Sequence, residues 1–118
     1  MACVAVAWLA LALAMPVSKC DLGNGIAGQS VWWEAPRIFI DRDYYPRTWE
    51  ADVATAKATY VIAHELGHIR LRTPAEGEAD AWARANWCLV VNKLRPRQPR
   101  MPTCFRLWRL LPRAWRTQ

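Results

Sequence analysis

The chain has 118 residues, of which 53% are hydrophobic and 22% are charged. This length suits a single domain, and this composition excludes an intrinsically disordered chain. The net charge of +6 is uneven, because residues 93–118 carry eight basic and no acidic residues while the rest carries eight basic and ten acidic ones. The positive charge therefore characterises the C-terminal segment and not the whole protein.

An uncharged run rich in alanine and leucine occupies residues 2–15. It is shorter than the about 20 apolar residues that a membrane-spanning helix needs, and it matches the apolar region of a signal peptide, with Ala12-Leu13-Ala14 as the cleavage site. We therefore predict that residues 1–20 are a signal peptide or anchor and that the protein is secreted or membrane-tethered. The alternative is a buried N-terminal helix of the domain itself, in a protein that is cytoplasmic.

The four cysteines, at positions 3, 20, 88 and 104, contain no Cys-x-x-Cys pair. A zinc site built from cysteines therefore has little support. In an exported chain we expect Cys20, Cys88 and Cys104 to supply one disulfide and leave one free thiol, and the sequence does not choose the pairing. In a cytosolic chain they would be small buried hydrophobic residues.

Residues 21–94 are predicted to form the domain. Its first part is rich in glycine, which marks a flexible connection over residues 21–30. Aromatic and β-branched residues then cluster at 31–33 and 37–41. These two runs predict one broken strand or two short strands, and Pro36 between them confines the strands to an edge or a bend.

Two long helices follow the strands. Thr48 suits the N-cap of a helix over residues 49–72, which contain no proline. A second helix is predicted over residues 74–94, with Thr73 as its N-cap and Glu76 at the acidic position of a capping box. The two helices are separated by a short turn, so we expect them to lie side by side.

The first helix carries the sequence His64-Glu65-Leu66-Gly67-His68. Because residues four apart share one face of a helix, both imidazoles can bind a single metal ion. Glu65 then lies beside the metal, where its carboxylate can accept a proton from a water molecule activated by zinc. This pattern is typical of zinc peptidases, and these are the only two histidines in the chain.

A catalytic zinc ion needs a third protein ligand, which must here be a carboxylate. In a pair of adjacent helices Glu76 and Asp80 face the histidines, whereas Glu78 points away. We predict Glu76 as the ligand and Asp80 as a residue that orients a histidine. If Glu76 instead closes the capping box with Thr73, Asp80 becomes the ligand.

Two runs of the sequence together resemble the signature of the ImmA/IrrE-type metallopeptidases. They are Ala63-His64-Glu65-Leu66-Gly67-His68 and Glu76-Gly77-Glu78-Ala79-Asp80-Ala81-Trp82-Ala83. The resemblance extends over about residues 37–90 and implies a gluzincin-like site. By position it implies that His64, His68 and Glu76 bind zinc, that Glu65 is the base and that Asp80 supports the ligands. It also implies that the strand at residues 37–41 is the edge strand that holds the substrate.

Residues 95–118 form a basic segment rich in arginine and tryptophan, with a short helix predicted over about 104–111. Its arginines and its aromatic residues fall on different faces, as in helices that lie on anionic membranes. The simplest interpretation is that Phe105 and Trp108 dock on the domain and the arginines are solvated. An anionic membrane surface is the next candidate partner, and nucleic acid is the last.

The sequence thus predicts an α+β protein with a minimal zincin-like domain, in which short edge strands pack on the zinc-binding helix and a second helix follows. The predicted function is zinc-dependent hydrolysis of peptide bonds in a peptide or protein substrate. Two alternatives are a non-catalytic binding protein stabilised by zinc and a cationic module that binds membranes or nucleic acid.

Overall fold

The computed structural model describes residues 2–117, so that Met1 and Gln118, at the ends of the two predicted terminal segments, lie outside the described residues. The elements in chain order are β1 (Cys3–Ala5), α1 (Ala7–Leu13), β2 (Val17–Cys20), β3 (Gly28–Val31), β4 (Arg37–Asp41), α2 (Val53–Leu71), α3 (Glu76–Ala85), α4 (Trp87–Leu94), α5 (Cys104–Leu110) and α6 (Arg113–Arg116), with short 3-10 turns at Arg42–Tyr44 and Arg95–Arg97. The predicted α+β class is confirmed.

The four strands form one mixed sheet in the order β1-β2-β4-β3. Strand β2 runs parallel to β4, whereas β1 pairs with β2 and β3 pairs with β4 in the antiparallel sense. The prediction that residues 37–41 form an edge strand is therefore wrong, because β4 is hydrogen-bonded on both sides. The edge nearest the helices is β3, which begins at Gly28 inside the stretch predicted to be flexible.

Helix α2 is the centre of the molecule. It contacts β3 and β4 on one side and α3, α4 and α5 on others, and it is buried on nearly all faces between Thr55 and His68. It begins four residues later than predicted, because the extended Asp52 caps it by accepting a hydrogen bond from the backbone N–H of Thr55 at 2.8 Å. Thr48, the predicted cap, lies outside the helix, and its carbonyl oxygen accepts a hydrogen bond from the hydroxyl of Thr55.

The second predicted helix is two helices, α3 and α4. Asn86 separates them, since its side-chain amide donates to the carbonyl oxygen of Trp82 and its backbone leaves the helical conformation. Thr73 does not cap α3: its hydroxyl accepts from Ala75 N–H, and the helix begins at Glu76. The capping box predicted as an alternative role for Glu76 is therefore absent, which leaves its carboxylate available to the histidines.

The N-terminal residues 3–20 contribute β1, α1 and β2 to the same domain. Leu9 and Leu13 of α1 are buried in the common core, which corresponds to the alternative of a buried N-terminal helix. Cleavage near Ala14 stays a prediction, and it would remove one strand and one core helix. Within residues 2–117 no helix is both long and apolar enough to cross a membrane.

The cysteines form two disulfides, Cys3–Cys20 and Cys88–Cys104, so the expectation of one disulfide and one free thiol is wrong. The first pairing follows from the sheet, because the register of β1 on β2 places Cys3 opposite Cys20. The second ties α4 to α5. The chain is thus crosslinked near both ends.

The basic C-terminal segment packs on the domain through Met101, Leu107 and Leu111, all of which are buried. Its short helix is confirmed as α5. Phe105 is 75% exposed, so the expectation that it docks on the core is wrong, whereas Trp108 is half-buried and packs against Trp87.

Candidate metal centre

The two histidines predicted to bind zinc lie one turn apart on α2, with their Nε2 atoms 3.1 Å from each other. Nδ1 of His68 lies 2.8 Å from the carbonyl oxygen of Thr73, and Nδ1 of His64 lies 2.7 Å from Oδ1 of Asp80. Carbonyl and carboxylate oxygens only accept hydrogen bonds, so each Nδ1 carries a proton. A neutral ring then has its lone pair on Nε2, and both lone pairs face the same point.

The carboxylate of Glu76 completes this group. Its Oε2 is 2.8 Å from Nε2 of His64 and its Oε1 is 3.0 Å from Nε2 of His68. Three acceptors that converge in this way repel one another unless a proton or a cation lies among them. In a tetrahedral zinc site with bonds of about 2.0–2.1 Å, ligand atoms are roughly 3.3 Å apart, so the observed spacing is close to that of a zinc site.

Glu65 lies beside these ligands. His64, Glu65 and His68 could hold a metal ion, since one ligand atom from each lies within 4.8 Å of the others. Oε1 of Glu65 accepts a hydrogen bond from the hydroxyl of Ser30 at 2.8 Å, and its Oε2 is 4.0 Å from Nε2 of His64. Both Glu65 and His68 are buried, whereas Glu76 is largely exposed.

The electrostatic environment of Glu65 favours its protonated form. Burial raises the pKa of Glu65 above its ordinary value, because the ionised carboxylate loses hydration. The Ser30 hydroxyl and the two imidazoles oppose this effect in part. Burial therefore makes this carboxyl group easier to protonate than an exposed glutamate.

Asp80 is part of a hydrogen-bonded chain that leads away from the ligands. The hydroxyl of Tyr60 donates to Oδ1 of Asp80 at 3.1 Å, and Arg84 donates to the same hydroxyl at 3.2 Å. Burial, followed by the charge of Asp80, raises the pKa of Tyr60 to about 12. The phenol is thus a stable donor, and it fixes the carboxylate that orients His64.

The sequence predicted five site residues, and the structure brings all of them together: His64, Glu65, His68, Glu76 and Asp80. Sequence reasoning missed Ser30, Tyr60 and Arg84. Tyr60 lies four residues before His64 and Arg84 four residues after Asp80, so helical spacing points to both. No sequence signal identifies Ser30, because its position depends on the packing of β3 against α2.

Two glycines permit the close packing that forms the site. A Cβ atom at Gly67 would lie 2.7 Å from the carbonyl oxygen of Ala79, so only glycine lets α3 approach α2 this closely. A Cβ at Gly28 would lie 2.6 Å from Cγ1 of Val61 and 3.3 Å from Cγ of Glu65. The edge strand β3 therefore passes directly over the helix at Glu65.

Two clefts adjoin the site. One, of about 530 Å³, is lined by Gly28, Val61, Glu65 and Trp115 among others, and the second, of about 420 Å³, includes Trp33 in its wall. Glu65 and Glu76 line both clefts, so the candidate metal ligands lie where the two meet. This arrangement leaves the site accessible to an extended ligand.

The residues that form the centre come from β3, α2 and α3, and they converge from separate parts of the sequence. No family model, curated protein or solved structure matches this chain.

Proposed function

We propose that the protein is a zinc-dependent metallopeptidase with a zincin-like site of the ImmA/IrrE type. The observation that carries the proposal is the convergence of both histidine Nε2 atoms and the Glu76 carboxylate beside the buried Glu65. Three protein ligands leave one coordination position open, which catalytic zinc requires and structural zinc does not. The adjoining clefts give a peptide access to that position.

The distances support Glu76 rather than Glu65 as the third ligand. Both oxygens of Glu76 lie within 3.0 Å of a histidine Nε2 atom. Glu65 directs one oxygen to Ser30 and holds the other 4.0 Å from His64. Glu65 is thus adjacent to the metal position and remains free to exchange protons.

Zinc bound to His64, His68 and Glu76 would polarise the scissile carbonyl and make a water molecule acidic, with a pKa of about 7. Glu65 would accept the proton from this water and later deliver it to the leaving amine. The position of Glu65 suits both steps, because its carboxylate lies beside the candidate ligands and is not itself one of the three. Ser30 would keep the carboxylate oriented by donating to Oε1.

The main rival is a binding protein in which zinc only joins α2 to α3. A purely structural site has no need of a buried carboxylate next to its ligands, nor of access from two clefts.

We also propose that the protein acts outside the reducing cytosol. Two disulfides in a chain of 118 residues support this location, because disulfides persist in oxidising compartments.

The test combines zinc content with cleavage of an unfolded protein such as reduced and alkylated casein. We expect about one zinc ion per chain, lost in Glu76→Ala and retained in Glu78→Ala. Glu78 is the matched control, because it is an exposed acid on the same helix. Glu65→Gln should keep the zinc and lower the cleavage rate by roughly 10²- to 10⁴-fold.

Two results would contradict the proposal. A folded wild-type chain that binds no zinc would exclude the metal site altogether. Normal zinc binding, with cleavage that is absent in the wild type or unchanged in Glu65→Gln, would favour the structural role.

A further inference from the structure

The larger cleft beside the candidate metal centre is lined by both polar and apolar residues. Its polar residues include His64, Glu65 and Glu76. Its apolar wall is formed by Ile26, Ala27, Val61 and Trp115. A group bound beside His64 and Glu65 would therefore have apolar surface available within the same cleft.

Trp115 comes from the C-terminal segment and is held in place by several contacts. Its ring packs edge-on against Tyr60 with a centroid separation of 5.6 Å, and the Nζ atom of Lys57 lies 5.6 Å from its centroid. The segment that precedes it is anchored by the buried Leu111 and by the Cys88–Cys104 disulfide. These contacts place the tryptophan ring in the wall of the cleft.

The second cleft differs in character. Ser30, Trp32 and Trp33 line this cleft and not the larger one, whereas Gln29 lines both. Trp33 is 60% exposed. Its tryptophans are therefore partly in water, and its wall has more polar backbone and side-chain groups. Discrimination by hydrophobic burial is accordingly expected in the larger cleft.

We propose that the C-terminal segment supplies a specificity-determining residue, Trp115, which with Val61 forms a subsite for a bulky aliphatic or aromatic side chain next to the scissile bond. The inference rests on the proposed peptidase function. A small side chain would leave Val61 and Trp115 hydrated, and an acidic one would lie close to Glu65 and Glu76 without a partner. A leucine or phenylalanine side chain removes this apolar surface from water.

The test is direct binding of N-acetyl-leucinamide and N-acetyl-alaninamide to the full chain loaded with zinc, followed by NMR of the tryptophan indole N–H signals. The Trp115 signal is assigned by its loss in Trp115→Ala. We expect the leucine compound to shift this signal and to bind roughly tenfold more tightly than the alanine compound. Trp115→Ala should remove the preference, whereas Trp115→Phe, which keeps an aromatic wall, should retain most of it.

Trp33→Ala is the matched control, since it removes a tryptophan from the other cleft, and it should leave the preference unchanged. Equal binding of the two compounds to the wild type, or a preference that survives in Trp115→Ala, would overturn the subsite whatever the catalytic activity. A preference that depends on Trp115 in a protein that cleaves no peptide would support the subsite and contradict the peptidase function. The two proposals are thus tested separately.

Discussion

Nδ1 of His64 lies 2.7 Å from Oδ1 of Asp80, and this contact determines which ring nitrogen of His64 faces Glu76. Because the carboxylate is an acceptor, it holds the proton on Nδ1 and leaves the lone pair of Nε2 directed at the metal position. Asp80 would therefore support metal binding without being a ligand. The hydroxyl of Tyr60 donates to this carboxylate, and Arg84 donates to the same hydroxyl.

This relationship predicts that Asp80→Ala weakens zinc binding by roughly 10- to 100-fold without abolishing it. Asp80→Asn should lose less, since its side-chain oxygen still accepts the Nδ1 proton. Competition with a chromophoric zinc chelator measures both affinities. Complete loss of zinc in Asp80→Ala, with normal binding in Glu76→Ala, would instead make Asp80 the ligand.

The packing of α3 on α2 predicts that Gly67→Ala is destabilising. The new Cβ would lie 2.7 Å from the carbonyl oxygen and 2.9 Å from the Cα of Ala79, both of which are backbone atoms. We expect a loss of about 1–3 kcal/mol in the free energy of unfolding, together with weaker zinc binding because α3 carries Glu76.

Gly77→Ala is the control for this substitution. Gly77 lies within α3, and a Cβ there would have no atom within 4 Å. Its replacement should leave stability unchanged or raise it by up to about 1 kcal/mol, since alanine favours the helix. Urea unfolding of both variants measures the two changes in the free energy of unfolding. Equal changes would mean that α2 and α3 do not pack as closely at Gly67 as the structure shows.

The burial of Glu65 predicts that this residue, the proposed catalytic base, lowers the stability of the metal-free protein at neutral pH. Its pKa in the folded protein is raised above the ordinary value of 4.5. The folded state therefore binds this proton more tightly than the unfolded state, and the resulting stability is present below about pH 4.5 and is lost as the pH rises through the folded pKa. At pH 7 the burial of this carboxyl group therefore lowers the stability of the metal-free protein.

Glu65→Gln removes the ionisable group and should raise the melting temperature of the metal-free protein at pH 7 by a few degrees. The gain should disappear near pH 4, where the wild-type carboxyl is protonated. Thermal unfolding of both chains at the two pH values, in the presence of a chelator, measures the difference. A wild-type protein that is more stable than the variant at pH 7 would contradict the argument.

Helical spacing, the short turn between the two helices and the family resemblance together predicted the core of the site. His64 and His68 share a face because they are four residues apart, and the short turn after α2 brings Glu76 beside them. The helix boundaries were less predictable, because they depend on local competition between caps. Asp52 and not Thr48 is the N-cap of α2, because the carboxylate of Asp52 accepts a hydrogen bond from the backbone N–H of Thr55.

The sheet could not be predicted in the same way. The pairing of β2 with β4 joins residues about twenty positions apart, and no local pattern specifies that register. The contact of Ser30 with Glu65 depends on the same long-range pairing, because β3 reaches α2 only when it is the edge of the assembled sheet. The Cys3–Cys20 disulfide was missed because residues 1–20 were predicted to be a leader or anchor.

The N-terminal helix provides the last prediction, since α1 places Leu9 in the core with no exposed surface and leaves Leu11 64% exposed. Leu9→Ala should lower the free energy of unfolding by about 2–5 kcal/mol, whereas Leu11→Ala should change it by less than about 0.5 kcal/mol. The two variants remove the same atoms from the same helix, so their difference isolates burial from helix propensity. Urea unfolding of the full chain gives both values.

Equal, small effects would mean that residues 3–20 do not belong to the folded domain, and the interpretation of this segment as a cleaved leader would then be preferred. A large effect confined to Leu9 would mean that the helix belongs to the folded domain. Removal of residues 3–14 would then expose the core beneath the helix and leave Cys20 without its disulfide partner.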